Sequence, residues 1–242
     1  MPKKTASKPP AETNDSKSAR TRERILDAAA HVLSRKGYAG TRLSDVAEQA
    51  QIQAPAIYYY FSSREVLIEE VMWVGVALMR EHVTEALDAL PADTGPMDRI
   101  DTAVEEHLRY QLEISDYATA AIRNAGQVPE DIRTRQLAEE AKYGDVWRTL
   151  IQDAQKAGEL RADLEPRVSR MLVLGALNWA AEWWNPRQGS LDVVVRTAKS
   201  LVRHGLGAPA VQEPGGAQPQ PSAKGRGKRA PAAPGRAAGT AL

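Results

Sequence analysis

The chain contains no cysteine. Disulfides, thiolate nucleophiles and cysteine-bearing metal sites are therefore excluded. Histidine is scarce too. His31, His82, His107 and His204 stand far apart, with no HxxxH or HExxH spacing among them, so neither a metal nor another cofactor is expected. Long apolar runs are missing. The longest, Val71 to Met79, falls far short of the ~20 residues that span a bilayer. The polar, charged N-terminus has no apolar signal core, and a cytoplasmic, nucleoid-associated protein without a membrane partner is the expectation. No stretch alternates in hydrophobicity long enough to make a sheet, which predicts an all-α fold. A nucleophile elbow, a phosphate loop and paired catalytic carboxylates are absent as well, and no enzymatic activity is expected.

The near-neutral net charge of +1 conceals an asymmetry. Residues 17–64 carry 8 Lys/Arg against 4 Asp/Glu, residues 65–207 carry 16 against 24, and residues 208–242 carry 5 against 1. A basic head and tail on an acidic body suit a protein that meets phosphate at one end. Four segments follow: a basic arm over 1–16, a basic head over 17–64, an acidic body over 65–207, and a Pro/Ala/Gly-rich basic tail over 208–242. Arm and tail have little to bury and read as disordered. Lys3, Lys4 and Lys8 could touch phosphate, and Lys224 to Arg229 faintly resembles a minor-groove hook.

The head is centred on Thr41 to Phe61. Leu43, Val46, Ala47 and Ala50 recur at helical spacing, and Ile57, Tyr60 and Phe61 do so after a three-residue break. Thr41 is a candidate N-cap, and Pro55 fits the first turn of the second helix. Such a pair presents its second helix to a major groove. With Ile57 inward, a 3.6-residue period turns Tyr58 and Tyr59 outward, where a phenol can stack or reach phosphate. A preceding helix, Ser18 to Arg35, buries Ile25, Ala29, Val32 and Leu33 and stops at Gly37. Its Lys17, Arg20 and Arg22 are candidate phosphate contacts, although a charge run on a helix is often only a solvated face.

The series Thr41, Asp45-Val46-Ala47, Ile57-Tyr58-Tyr59-Tyr60-Phe61 and Arg64-Glu65 resembles the DNA-binding signature of the TetR family of bacterial repressors, over roughly residues 17–72. Two positions depart from it. Gln51 stands where the family usually has Gly, and Ala54 where it often has Lys or Arg. The resemblance implies a DNA-binding head over 17–64, a ligand-binding and dimerisation body over 65–207, and a homodimer on a palindromic DNA operator, released by a small apolar effector. Base contacts are expected from Gln53, Ala54, Pro55, Ala56 and Tyr59, and phosphate contacts from Thr41, Arg42, Tyr58 and Arg64. The alternatives are a sequence-nonspecific nucleoid-type protein and an activator.

The body reads as helices over Arg64–Leu90, Met97–Ile114, Asp116–Asn124, Pro129–Gly158, Pro166–Trp184 and Leu191–His204. The stripe Leu67, Val71, Val74 and Leu78 should face inward on the first, and Ile132, Leu137, Tyr143, Trp147, Leu150 and Ile151 on the fourth. The last two helices carry small and apolar surfaces: Gly175, Ala176 and Ala180, then Val194, Val195, Ala198, Leu201 and Val202. These fit either the body's own core or a dimer seam, and the family resemblance implies the seam. Trp73, His107, Tyr110, Arg123, Trp147, Trp179 and Trp183 fit either core packing or an apolar pocket with a few polar groups. Gly175 to Gly189 resembles a segment of TetR-type regulators of fatty-acid and sterol catabolism. An acyl-CoA effector is thereby implied, with Arg123 or Arg187 near its charged groups.

Overall fold

The computed structural model describes residues 14–208. The basic arm around Lys3, Lys4 and Lys8 and the tail containing Lys224 to Arg229 lie outside the described residues. Within them the fold is all-α: α1 (Asn14–Gly40), α2 (Leu43–Gln49), α3 (Ala54–Tyr60), α4 (Arg64–Asp88), α5 (Pro96–Arg109), α6 (Asp116–Asn124), α7 (Thr134–Lys156), α8 (Pro166–Trp183) and α9 (Leu191–Leu206). No strand occurs among the described residues, only an isolated bridge between Leu160 and Gly207.

The ends of these helices have local causes. Gly37 breaks the helical run of α1 with φ 69° and ψ 174°, a conformation that costs glycine little. Ser63, Ser115, Glu165 and Ser190 each accept a backbone N–H at the start of α4, α6, α8 and α9, satisfying donors that a helix leaves open. Thr41 does not cap α2. Arg42 is the N-cap without a side-chain bond, while Thr41 is buried and its hydroxyl donates to the Gly37 carbonyl at 2.8 Å. Gln51, in the turn between α2 and α3, has φ 55°, a left-handed backbone that costs a non-glycine residue about 1–2 kcal/mol.

Ile25, Ala29 and Leu33 of α1 belong to the same buried core as Val46, Ala47, Ile57 and Phe61. Helix α4 extends this core into the body, with α5, α6 and α7 all packed against it. It is therefore buried on a broader face than one stripe. Ile68, Met72, Gly75, Val76 and Met79 join Leu67 and Val71 inside, whereas Val74 and Leu78 are only half-buried. On α7 the inward register includes Gln136 and Glu139, and Leu137 points out. The expected continuous helix Met97–Ile114 instead widens into a π-type turn over Tyr110–Ile114.

Candidate nucleic-acid interface and internal cavity

Seven residues, Ala54–Tyr60, make α3. Pro55 sits in its first turn, and Ile57 is fully buried and anchors it. The outward face carries Tyr58 and Tyr59, 59% and 82% exposed. Gln53, Pro55, Ala56 and Arg42 are exposed beside them, and Ala54 is half-buried against the core. This is a convex patch of amide, phenol and small apolar groups, suited to hydrogen-bonding a base edge or meeting a thymine methyl.

Two of the expected phosphate contacts hold the head together instead. The Arg64 guanidinium donates to the carbonyls of Thr41, at 2.8 Å, and of Tyr38, and lies 4.5 Å over the Tyr38 ring. Arg22 pairs with Glu70 at 2.6 Å and sits 4.8 Å over Phe61. Thr41, buried, offers no free hydroxyl to phosphate in this arrangement. Lys17 and Arg20 remain exposed on α1.

A cavity of about 590 Å³ opens between α4, α5, α6, α7 and α8, within the usual range for small-molecule sites. Its walls are largely small or apolar: Gly75, Val76, Met79, Ala118, Ala121, Ile122, Gly144, Leu174 and Gly175. Polar groups sit in two places. His107, Tyr143 and Asn178 form one cluster, with Glu140, Asp145, Arg148 and Arg170 along the α7–α8 side. His107 is 1% exposed and its Nδ1 lies 2.9 Å from the Tyr143 hydroxyl. Burial pushes its pKa down to about 4 against weaker support from Asn178 and Gln111, so the ring is neutral at physiological pH.

Of the side chains expected to line a pocket, only His107 does so. Trp147 is fully buried and packs edge-on against His107 and Tyr143. Trp73 lies under Arg135, 3.9 Å from its guanidinium, and Tyr110 stacks on His82. Trp179 and Trp183 are exposed, 65% and 52%. Arg123 binds Glu182 at 3.2 Å and the Ser34 carbonyl at 2.9 Å. Arg187, in the loop after α8, is not among the lining residues, whose arginines are Arg148 and Arg170.

Helix α6 has two working faces. Ala118, Ala121 and Ile122, with Ala125 just past its end, line the cavity. Its other side is bonded to α1. Asp116 meets His31 at 2.9 Å, Arg35 at 3.1 Å and Ser34 at 3.2 Å. Tyr117 donates to Asp27 at 2.8 Å, and Asn124 accepts from the Tyr38 amide at 2.7 Å. Burial raises the Asp116 pKa, but the His31 bond and the Arg35 charge outweigh it and hold the carboxyl below its ordinary range.

The outer surface of α8 is apolar along its length. Val168, Leu172, Gly175, Ala176, Trp179 and Trp183 follow helical spacing and are all exposed, with Val193 and Leu201 exposed on α9. Among the residues expected at a seam, Gly175, Ala176 and Leu201 lie at the surface. Ala180 and Val195 are instead in the protomer's own core, and Val194, Ala198 and Val202 are half-buried against it. The two helices turn these residues inward because their apolar sets are wider than one face.

Comparison with known proteins covers both halves. Residues 25–71 match the family described as bacterial regulatory proteins, tetR family, and residues 93–206 match the tetracyclin repressor-like C-terminal domain. The HTH-type transcriptional repressor KstR2 of Rhodococcus jostii is 24% identical over 83% of this chain and 98% of its own length. The fatty acid metabolism regulator protein of Bacillus subtilis is 23% identical over 70% of this chain and 86% of its own. Among solved structures, AibR in complex with isovaleryl coenzyme A and operator DNA superposes with a TM-score of 0.66 at 21% identity, covering 75% of this chain and 96% of that one.

Proposed function

Starting from the premise that this chain belongs to the TetR family of transcriptional regulators, and is thus no enzyme, we propose that it is an effector-released repressor acting as a homodimer in the cytoplasm. Residues 17–64 read a palindromic operator, and residues 65–207 bind the effector and pair the protomers. Gln53, Ala54, Pro55, Ala56 and Tyr59 face bases, while Arg42, Tyr58 and the exposed cations of α1 face phosphate. The effector has an apolar body in the cavity and an anionic head at Arg148 and Arg170. An acyl-CoA is the first class to test, given the thioester in the related AibR complex.

The observation that carries this reading is the double role of α6. One helix forms a cavity wall and also holds the end of α1 through Asp116, Tyr117 and Asn124. A ligand that displaces α6 would move the head relative to its partner's head. It releases DNA only if it binds that displaced state more tightly.

The test is anisotropy binding to DNA upstream of the protein's own gene, with random competitor present, titrated with a panel of acyl-CoAs. Specific binding relieved by one chain-length class is the expected result. Binding equal to that of competitor would remove the operator claim, and specific binding unmoved by every thioester would remove the effector class. Tyr59→Ala should weaken specific binding about tenfold or more, the scale of a lost base contact of roughly 1–3 kcal/mol. Its melting temperature should stay near wild type, because the side chain is 82% exposed. Undiminished operator affinity in this variant would move the reading surface off Tyr59.

A further inference from the structure

In one part of the cavity, α5, α7 and α8 bring neutral polar groups together. His107 of α5 is buried, with Nδ1 paired to the Tyr143 hydroxyl of α7 at 2.9 Å; Asn178 and Gln111 sit close enough to favour a proton on the ring weakly, but neither reaches Nε2 at full hydrogen-bonding geometry. With Tyr143 donating to Nδ1, the remaining proton of the neutral ring sits on Nε2. Asn178 of α8 lines the same region. Behind it Gln111, 1% exposed, donates through its amide nitrogen to the Asn178 carbonyl at 3.2 Å, and its Oε1 has no partner. Buried polar groups are nearly always hydrogen-bonded. Two unsatisfied atoms in one cluster beside an open cavity mark capacity for an incoming polar group.

The charged side of the cavity lies elsewhere. Arg170 donates to the Gly144 carbonyl at 2.9 Å, and its Nε is buried without a partner. Arg148 and Arg170 also line an adjoining groove that adds Arg167. Arg170 and Asn178 are eight residues apart on α8, about 12 Å at 1.5 Å per residue. An anionic group held by the arginines would therefore place the neutral cluster well along the ligand's apolar body.

We infer that this cavity selects an oxygenated effector, one whose apolar body carries a hydroxyl or carbonyl some 12 Å from its anionic group, bound by His107, Tyr143 and Asn178. A fully reduced chain covers those groups without giving them hydrogen bonds, which is how a polar pocket rejects an apolar analogue. The inference rests on the reading that the cavity holds an apolar effector with an anionic head, and it narrows that effector's chemistry.

The experiment compares dodecanoate with 10-hydroxydodecanoate, whose hydroxyl stands at that distance from its carboxylate when the chain is extended, by isothermal titration of the full chain. The hydroxylated acid is expected to bind about tenfold more tightly or better, the scale of one or more buried hydrogen bonds. His107→Leu should bring the ratio of the two affinities to about one, and Asn178→Leu should lower it. Asn178 is only half-buried, so its variant keeps the test alive if His107→Leu fails to fold, as checked by circular dichroism. Equal binding of both acids to the wild-type chain overturns the selection for oxygen and leaves the anion-headed effector standing. A ratio that survives in both folded variants overturns the assignment to these residues. Binding of neither acid overturns the anion-headed effector and this inference with it.

Discussion

His107 keeps a neutral ring inside the protein because burial pushes its pKa down to about 4. In the unfolded chain the same ring titrates near ~6.5. Between those values the unfolded state binds more protons than the folded one, so stability falls as pH drops through that window. Above it the ring contributes no pH dependence. Below about pH 4 the loss levels off at about 3 kcal/mol. Asp116, whose carboxyl is held below its ordinary range, contributes stability that is lost only at lower pH. Urea unfolding of wild type and His107→Gln at a series of pH values separates the two. The wild-type stability should drop relative to the variant from pH 6.5 downward. Parallel curves would mean that the ring is charged or solvated in the folded state.

At the scale of elements, the contact of α4 with α6 depends on one missing methyl group. A Cβ on Gly75 would lie 2.3 Å from the Tyr117 carbonyl oxygen and 2.9 Å from the Ala121 Cβ. Gly75→Ala must push the two helices apart, and overpacking of this kind costs about 1–3 kcal/mol. The unfolding midpoint should fall accordingly. An unchanged midpoint would show that α6 shifts away cheaply, making this contact a hinge. Much at this scale was legible in the sequence. The bounds of α6, Asp116–Asn124, and the outward turn of Tyr58 and Tyr59 follow from capping residues and helical period. Three things were not. The π-type turn over Tyr110–Ile114 leaves no mark in a pattern of helix-forming residues. The α7 register departs from its apolar pattern because Glu139 is buried through a partner distant in sequence, Arg80 at 3.1 Å, and Gln136 bonds Glu140 one turn along at 2.6 Å. The tryptophans do not mark the cavity, whose walls are built from Gly75, Ala118, Ala121, Gly144 and Gly175. Space is made by small side chains, and small residues carry little signal in a sequence. The aromatics went instead to the core, at Trp147, or to the outer face of α8.

For the whole molecule, that outer face is what a single protomer leaves unresolved. Leu172, Trp179 and Leu201 are 69%, 65% and 70% exposed, part of a stripe running the length of α8. Contiguous apolar patches on this scale mark interaction sites rather than ordinary surface. A second copy meeting it about a two-fold axis would give the pair two α3 helices, as reading a palindrome requires. Leu172→Arg tests this directly. In the isolated protomer the new charge stays in water and should cost the fold little, typically within ±0.5 kcal/mol. In a dimer it would be buried without a partner, which is strongly unfavourable. Sedimentation should then show a folded monomer where the wild type is a dimer. Palindrome affinity should fall at least about a hundredfold, because two linked half-site contacts become one. A variant that still sediments as a dimer with full operator affinity would move the seam off α8. A monomer that keeps that affinity would instead remove the need for two copies on the operator.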